Sequence, residues 1–480
     1  MTERITVVSA DGHVGCSVET MRPYVDPAYR DRLDDVRVEE EVIREAMSYI
    51  RAENFPPEVL DAVDDRGVLR ERAYMDVYRS VAARIGELDA EGVAAEIVLD
   101  GGEWAYPWFA GLNRPYPLFL QAAGARAFNR WVADLISESE GRIYGNLVLG
   151  PGLDLEASAD ELRWAKEHGF VSVTAPRKVA HDAIPLINDP YWEPFWAACA
   201  EIGLAVNLHA GWGRPQGFLY QVFVRGKEQN AFQNLSGTKQ EDALTASEYL
   251  RNAERQNAAA GDDMMEGGQK TYAEDEKQLT VGMGQRQALW QLMLNGVFDR
   301  NPGLKLVLTE VRADWVPATL AYLDERFEQA QVRLELRPSE YFERNVGVTP
   351  SAPHYAEVQI REQIGVDRFM FGTDMPHREG TWPNTRNWIK HAFRGVPEDQ
   401  VRKILGENAI RFYEMDRTRI AEVASRIGPT PDEVFAGVDL GEPVLANFNH
   451  RAGYRKPIPD VHQSELSELV DADLAQTNDA

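Results

Sequence analysis

Short β-branched runs alternate along the chain with stretches whose apolar residues recur every three or four positions. The first pattern fits a buried strand and the second an amphipathic helix. Eight runs are found: Ile5–Ala10, Ala94–Asp100, Ile143–Leu149, Phe170–Thr174, Leu204–His209, Leu304–Glu310, Asn345–Val348 and Arg368–Asp374. Between them the spacing predicts helices over Tyr116–Ser139, Leu155–His168, Asp189–Ile202 and Trp315–Leu336. Eight strands alternating with helices predict an α/β fold, a (β/α)8 TIM barrel. A doubly wound open sheet is the alternative, but no GxGxxG or GxxxxGK[ST] follows the first run, so the usual phosphate loop of that fold is missing.

Two gaps, 17–85 and 211–284, are too long for ordinary βα loops. They follow strands 1 and 5, which in a barrel places both insertions on the face where active sites are built. Lids or subunit contacts are expected there, with solvated surface helices as the plainer alternative. The barrel pattern covers residues 1–415, and residues 416–480 form a C-terminal extension, polar and acidic toward its end. We expect that extension to serve as a subunit-contact arm in a homodimer or higher homo-oligomer.

Composition narrows the function. The 480 residues are 44% hydrophobic, which suits a large globular core, and 77 acidic against 51 basic residues leave a net charge of −26. Such a surface repels phosphate backbones and anionic lipid, so neither nucleic acid nor membrane is an expected partner, and a small-molecule substrate is. Cys16 and Cys199 form no ligand spacing or disulfide framework. No apolar run of about eighteen residues and no signal-like N-terminus is found, and a cytoplasmic protein is expected.

The chemistry collects at predicted strand ends. Asp11 and His13 lie two residues apart after the first run and so point the same way, a carboxylate and an imidazole suited to a divalent metal. A turn aspartate beside a hydrogen-bonded histidine is the bland reading of that pair. His209 closes the fifth run, Glu310 the sixth and Asp374 the eighth, with Arg312 and His377 just beyond. Each has an ordinary explanation singly, a satisfied core histidine or a helix-start ion pair. Their common position, the C-terminal face of a barrel, is where such folds carry chemistry. Arg177 after the fourth strand, and Trp104 and Trp108 after the second, are candidates to clamp and stack an aromatic acid.

These motifs resemble the amidohydrolase superfamily, and within it the amidohydrolase-related branch that includes aminocarboxymuconate-semialdehyde and resorcylate decarboxylases. The carriers are Asp11-Gly12-His13, Asn207-Leu208-His209, Glu310-Val311-Arg312-Ala313-Asp314-Trp315-Val316-Pro317, Phe371-Gly372-Thr373-Asp374-Met375-Pro376-His377 and Leu405-Gly406-Glu407-Asn408-Ala409. The resemblance implies one divalent metal held by Asp11, His13, His209 and Asp374, with Zn2+ the first choice and Mn2+ or Fe2+ the alternatives. A Lys-bridged pair of metals would want a lysine within the fourth strand, and Lys178 comes too late. Two departures stand out: DxH where the decarboxylases carry HxH or ExH, and Glu310 where they tend to carry His.

On that basis the leading expectation is a metal-dependent hydrolase of a small, aromatic or carboxylated substrate. Activated water would attack an amide, lactone or activated C–C bond, with Asp374 as base and Glu310 or His377 assisting. The alternative is a metal-dependent non-oxidative decarboxylase of an aromatic or unsaturated acid. A second alternative is an inactive barrel kept for binding, which would hold no metal.

Overall fold

The computed structural model describes residues 3–34, 55–71, 74–101, 117–176, 184–210, 212, 283–377, 380–452 and 463–478. Seven strands form one parallel sheet in sequence order: β1 (Val8–Val14), β2 (Ala95–Asp100), β3 (Ile143–Leu147), β4 (Phe170–Thr174), β5 (Ala205–His209), β6 (Leu306–Thr309) and β7 (Val346–Thr349). Their side chains are almost all buried, as expected for a parallel sheet covered by helices.

The connecting helices used below are α1 (Val81–Glu91), α2 (Leu118–Glu138), α3 (Leu155–Glu167), α4 (Glu193–Ile202), α5 (Met283–Leu294), α6 (Val316–Gln329), α7 (Thr385–Ala392), α8 (Arg417–Ile427) and α9 (Gln463–Asn478). Local chemistry sets several of their starts. The side chains of Ser80 and Asp154 accept from Ala83 N and Ala157 N, capping α1 and α3.

The eighth predicted strand is not a strand. Its residues nevertheless close the ring, since Met370 N donates to Val348 O on β7 and Ala10 N donates to Phe371 O from β1. Bridges pair Phe369 with Val348 and Met375 with Gly12. A regular ladder fails because Ser9 Oγ, not a backbone carbonyl, accepts from Thr373 N at 2.9 Å, and because Asp374 turns into the left-handed region at φ 53. The side-chain bond and the turn re-aim the chain just where its carboxylate is presented.

Other boundaries move by a few residues. The first strand starts and ends later than Ile5–Ala10, so Asp11 and His13 lie within it. The predicted Trp315–Leu336 helix stops at Gln329, two residues before Gln331 takes a φ of 54. Asn345 ends a helix instead of starting β7.

The described part of the first long gap is packed, with Met21, Leu33, Val59 and Leu60 in the main core. Nearly all of the second gap lies outside the described residues, as do Trp104, Trp108 and Arg177. Helix α8 closes the N-terminal ends of the strands, where Ile420, Val423 and Ala424 cluster with Val8, Ala95, Ala205 and Val307. The start of the C-terminal extension is thus the floor of the barrel. Farther on, α9 docks on its own chain and buries Leu466, Val470 and Leu474. Among the described residues no helix is long and apolar enough to cross a membrane.

Candidate metal centre

The Asp11-Gly12-His13 run works on both faces of β1. Inside the ring, Asp11 and His13 are 0% and 1% exposed, and His13 Nε2 lies 3.4 Å from Asp11 Oδ1. On the other side Gly12 leaves room for a buried ion pair. A Cβ there would sit 2.8 Å from Glu96 Oε2 and 3.0 Å from Arg84 Nη2. Arg84 Nε donates to one Glu96 oxygen and Nη2 to the other at 2.8 Å. Its remaining N–H groups reach His13 O at 2.7 Å, Val77 O at 3.0 Å and Met375 O at 3.3 Å. One guanidinium therefore ties the backbone of β1 to the closing segment directly beneath His13.

The structure brings His209 and Asp374 to this pair. His209 Nε2 is 3.5 Å from Asp11 Oδ1, and His13 Nε2 is 3.0 Å from Asp374 Oδ1. Ring orientations are set by main-chain acceptors: His13 Nδ1 donates to Asp100 O at 3.3 Å and His209 Nδ1 to Ala210 O at 2.9 Å. A carbonyl can only accept, so in the neutral rings Nδ1 holds the proton and Nε2 presents a lone pair. Asp11 Oδ1 and Oδ2, His13 Nε2, His209 Nε2 and Asp374 Oδ2 are all buried, and none makes a properly aligned hydrogen bond. Lone pairs facing one another are costly unless protons or a metal cation lie among them. Two imidazoles and two carboxylates are a donor set that suits a divalent metal such as Zn2+ or Mn2+. The residues fit one.

Gly101 completes the cradle. A side chain there would place its Cβ 2.2 Å from His13 Nδ1, and its carbonyl accepts from His377 Nε2 at 2.9 Å. His377 then faces Asp374 Oδ1 through Nδ1 at 2.9 Å and stacks on His13 with ring centroids 4.0 Å apart. Behind it is a cavity of about 30 Å³ between Phe55, Trp382, Trp388 and Phe448, room for about one water.

Glu310 and Asp374 share a further property. Both have positive φ, 56 and 53, although neither is glycine. Such conformations cost of order 1–3 kcal/mol and collect at functional sites. Glu310 Oε2 is 3.2 Å from His209 Nε2, so it belongs to the centre. Arg312 directs its fork at Asp314, with Nε 3.1 Å from Oδ1. Sequence reasoning missed Arg84, Glu96, Gly101 and Gln285, whose side chain donates to His209 O at 2.9 Å. A signal for the first two existed, since a carboxylate inside the apolar run Ala94–Asp100 requires a buried cation.

The electrostatics match. Burial opposes the charge on Asp11, but His13 and His209 prevail and hold its carboxyl well below the usual range. Burial would depress His209, yet Glu310 and Asp11 outweigh it and push it up to about 9. His13 is raised too, Asp11 and Asp374 prevailing over burial and the charge of His377. Without metal, protons therefore occupy the nitrogens that a metal needs. Metal uptake at pH 7 is expected to release protons, with apparent affinity rising as pH climbs toward about 9. Calorimetry in two buffers of different ionisation enthalpy measures this, and a heat independent of buffer would contradict it.

Known proteins share part of this sequence and its fold. γ-Resorcylate decarboxylase of Rhodococcus jostii is 29% identical over 133 residues, 26% of this chain and 39% of that protein, so the chain is matched over about two-fifths of that relative's length. The crystal structure of 5-carboxyvanillate decarboxylase from Sphingomonas paucimobilis superposes with a TM-score of 0.54 at 18% identity, covering 86% of this chain and 100% of the other. Dihydroxybenzoic acid decarboxylase from Polaromonas sp. JS666, solved with manganese and 2-nitroresorcinol, gives a TM-score of 0.51 at 18% identity over 88% and 99% of the two chains. At such identities the structural matches show a shared fold alone. The amidohydrolase family itself matches residues 118–415, well over half of the chain and including His209, Glu310 and Asp374, and so the chain belongs to that family.

Proposed function

We propose that this chain is a metal-dependent non-oxidative decarboxylase of a small hydroxylated aromatic acid. The observation that carries the reading is the convergence of five buried donor atoms, none in an aligned hydrogen bond, from β1, β5 and the closing segment. The named relatives are decarboxylases of aromatic acids, which favours this alternative over hydrolysis as the main expectation. They also move the metal preference. Manganese is bound in the Polaromonas enzyme, and a site with two carboxylates suits Mn2+ as well as Zn2+.

Asp11, His13, His209 and Asp374 would hold the metal. A divalent cation there would supply a Lewis acid that draws charge from a bound aromatic acid. The residues govern the proton. His377, with Nε2 anchored on Gly101 O, directs Nδ1 at Asp374 Oδ1. His377 Nδ1 and Asp374 Oδ1, 2.9 Å apart, are thus placed to pass a proton between them beside the substrate position. Asp374 gives it to the ring carbon, the bond from that carbon to the carboxylate breaks, and CO2 leaves, so an arenecarboxylate and a proton become an arene and CO2. Burial of both carboxylates excludes the water that would compete for the proton.

Hydrolysis keeps one supporting observation. Glu310 stands 3.2 Å from His209 Nε2 and can take a proton from water. Incubation with a panel of hydroxybenzoates in deuterium oxide separates the two. We expect CO2 release and one deuterium at the carbon that lost it. Product carrying 18O from labelled water, with no CO2, would overturn the decarboxylase.

A further inference from the structure

Helix α5 touches the metal centre at one end and the C-terminal helix along its length. Near its start Gln285, 3% exposed, donates Nε2–H to the carbonyl of His209 at 2.9 Å. The same carbonyl accepts from Trp212 N at 2.9 Å, closing the turn in which His209 Nδ1 donates to Ala210 O. Backbone and ring of His209 are thereby fixed, with Nε2 left toward Asp11.

The next turns of α5 make a different contact. Gln287, Trp290 and Gln291 occupy positions i, i+3 and i+4, one face of the helix. All three donate to Asp473 of α9, at 3.1, 2.7 and 3.0 Å. Asp473 is 7% exposed, so these are charge-assisted bonds sheltered from water. Leu466, Val470 and Leu474 form the buried stripe beside it, and Arg326 of α6 reaches Asp471 at 2.7 Å. A carboxylate gripped by three donors of one helix fixes that helix in both rotation and height.

We propose that α9 is a positioning element for the metal centre: Asp473 sets α5, and α5 holds His209 through Gln285. The proposal rests on the metal reading above. It means that residues beyond the matched family region of 118–415 act on a metal ligand.

The test measures metal affinity of the full-length protein by competition with a chelator, using Mn2+. Asp473→Ala is expected to weaken binding about tenfold, at the lower end of what loss of an outer-shell partner costs. Asp473→Asn, which keeps an acceptor oxygen, should recover part of that loss. Gln285→Ala should weaken binding similarly, and adding Asp473→Ala to it should change affinity by less than about twofold, because both act on one path. The visible absorption of the Co2+-loaded protein should shift in Asp473→Ala, a change that loss of stability alone does not produce. If Asp473→Ala does not fold, Trp290→Phe removes one donor, keeps an aromatic ring and should weaken binding in the same direction by a smaller factor. Wild-type affinity with an unchanged Co2+ spectrum, or effects of Asp473 and Gln285 that simply multiply, would overturn the proposal. Wild-type protein that takes up no metal would overturn the proposed function, and this inference with it.

Discussion

Asp374→Asn is expected to lower turnover by about two to four powers of ten with the fold intact. The substitution is nearly isosteric, and the backbone tolerates it for a specific reason. Asp374 sits at φ 53, a region that Asn, like Asp, adopts more readily than other non-glycine residues. What is lost is an anionic ligand and the oxygen facing His377 at 2.9 Å. Metal affinity should fall as well, because an anionic ligand is lost, so activity must be measured at saturating Mn2+ to isolate the proton step. Turnover within tenfold of wild type under those conditions would remove Asp374 from the chemistry.

Arg84→Met should be the most destabilising single change near the site, at about 3–5 kcal/mol. It leaves Glu96, fully buried, as an uncompensated charge, and strips donors from the carbonyls of His13, Val77 and Met375. Converting Glu96 to Met as well should restore much of the stability, since an apolar pair of similar volume often replaces a buried ion pair at little cost. Metal affinity should stay low in that double variant, because the backbone of His13 is still untethered. Urea midpoints compared with metal titrations separate the two effects. A single variant as stable as wild type would show that the pair does not hold β1.

Much of this was legible in the sequence. Phe170–Thr174 is a strand with the expected bounds, and Ala94–Asp100 and Leu204–His209 are each off by one residue at the start. Buried parallel strands are written as short apolar runs, and their ends as polar residues. Asp11, His13, His209, Glu310 and Asp374, which the structure brings close together, stand out in the sequence because each closes or follows such a run. The eighth segment was misread because Phe371-Gly372-Thr373 has strand composition, while its pairing depends on the hydroxyl of Ser9, 364 positions away. Arg84 and Gln285 were missed for a related reason: on a helix surface pattern both pass for solvated residues, and only the fold brings them under His13 and His209. Hydrolysis was preferred because Glu310 stands where the decarboxylases tend to carry His, whereas the relatives named above are themselves decarboxylases.

The closure of the ring by residues 368–375 has a consequence for synthesis. One edge of β1 is completed by β2, but the other waits for a segment made more than 350 positions later, as the Ser9–Thr373 bond shows with its separation of 364. At about 5–20 residues per second this is a delay of roughly 20–70 s on the ribosome. Through that interval β1 presents an unpaired edge, and Asp11 and His13 lack Asp374. On the proposed reading, metal loading then waits for the synthesis of Asp374, and its rate reports when β1 and the closing segment have met.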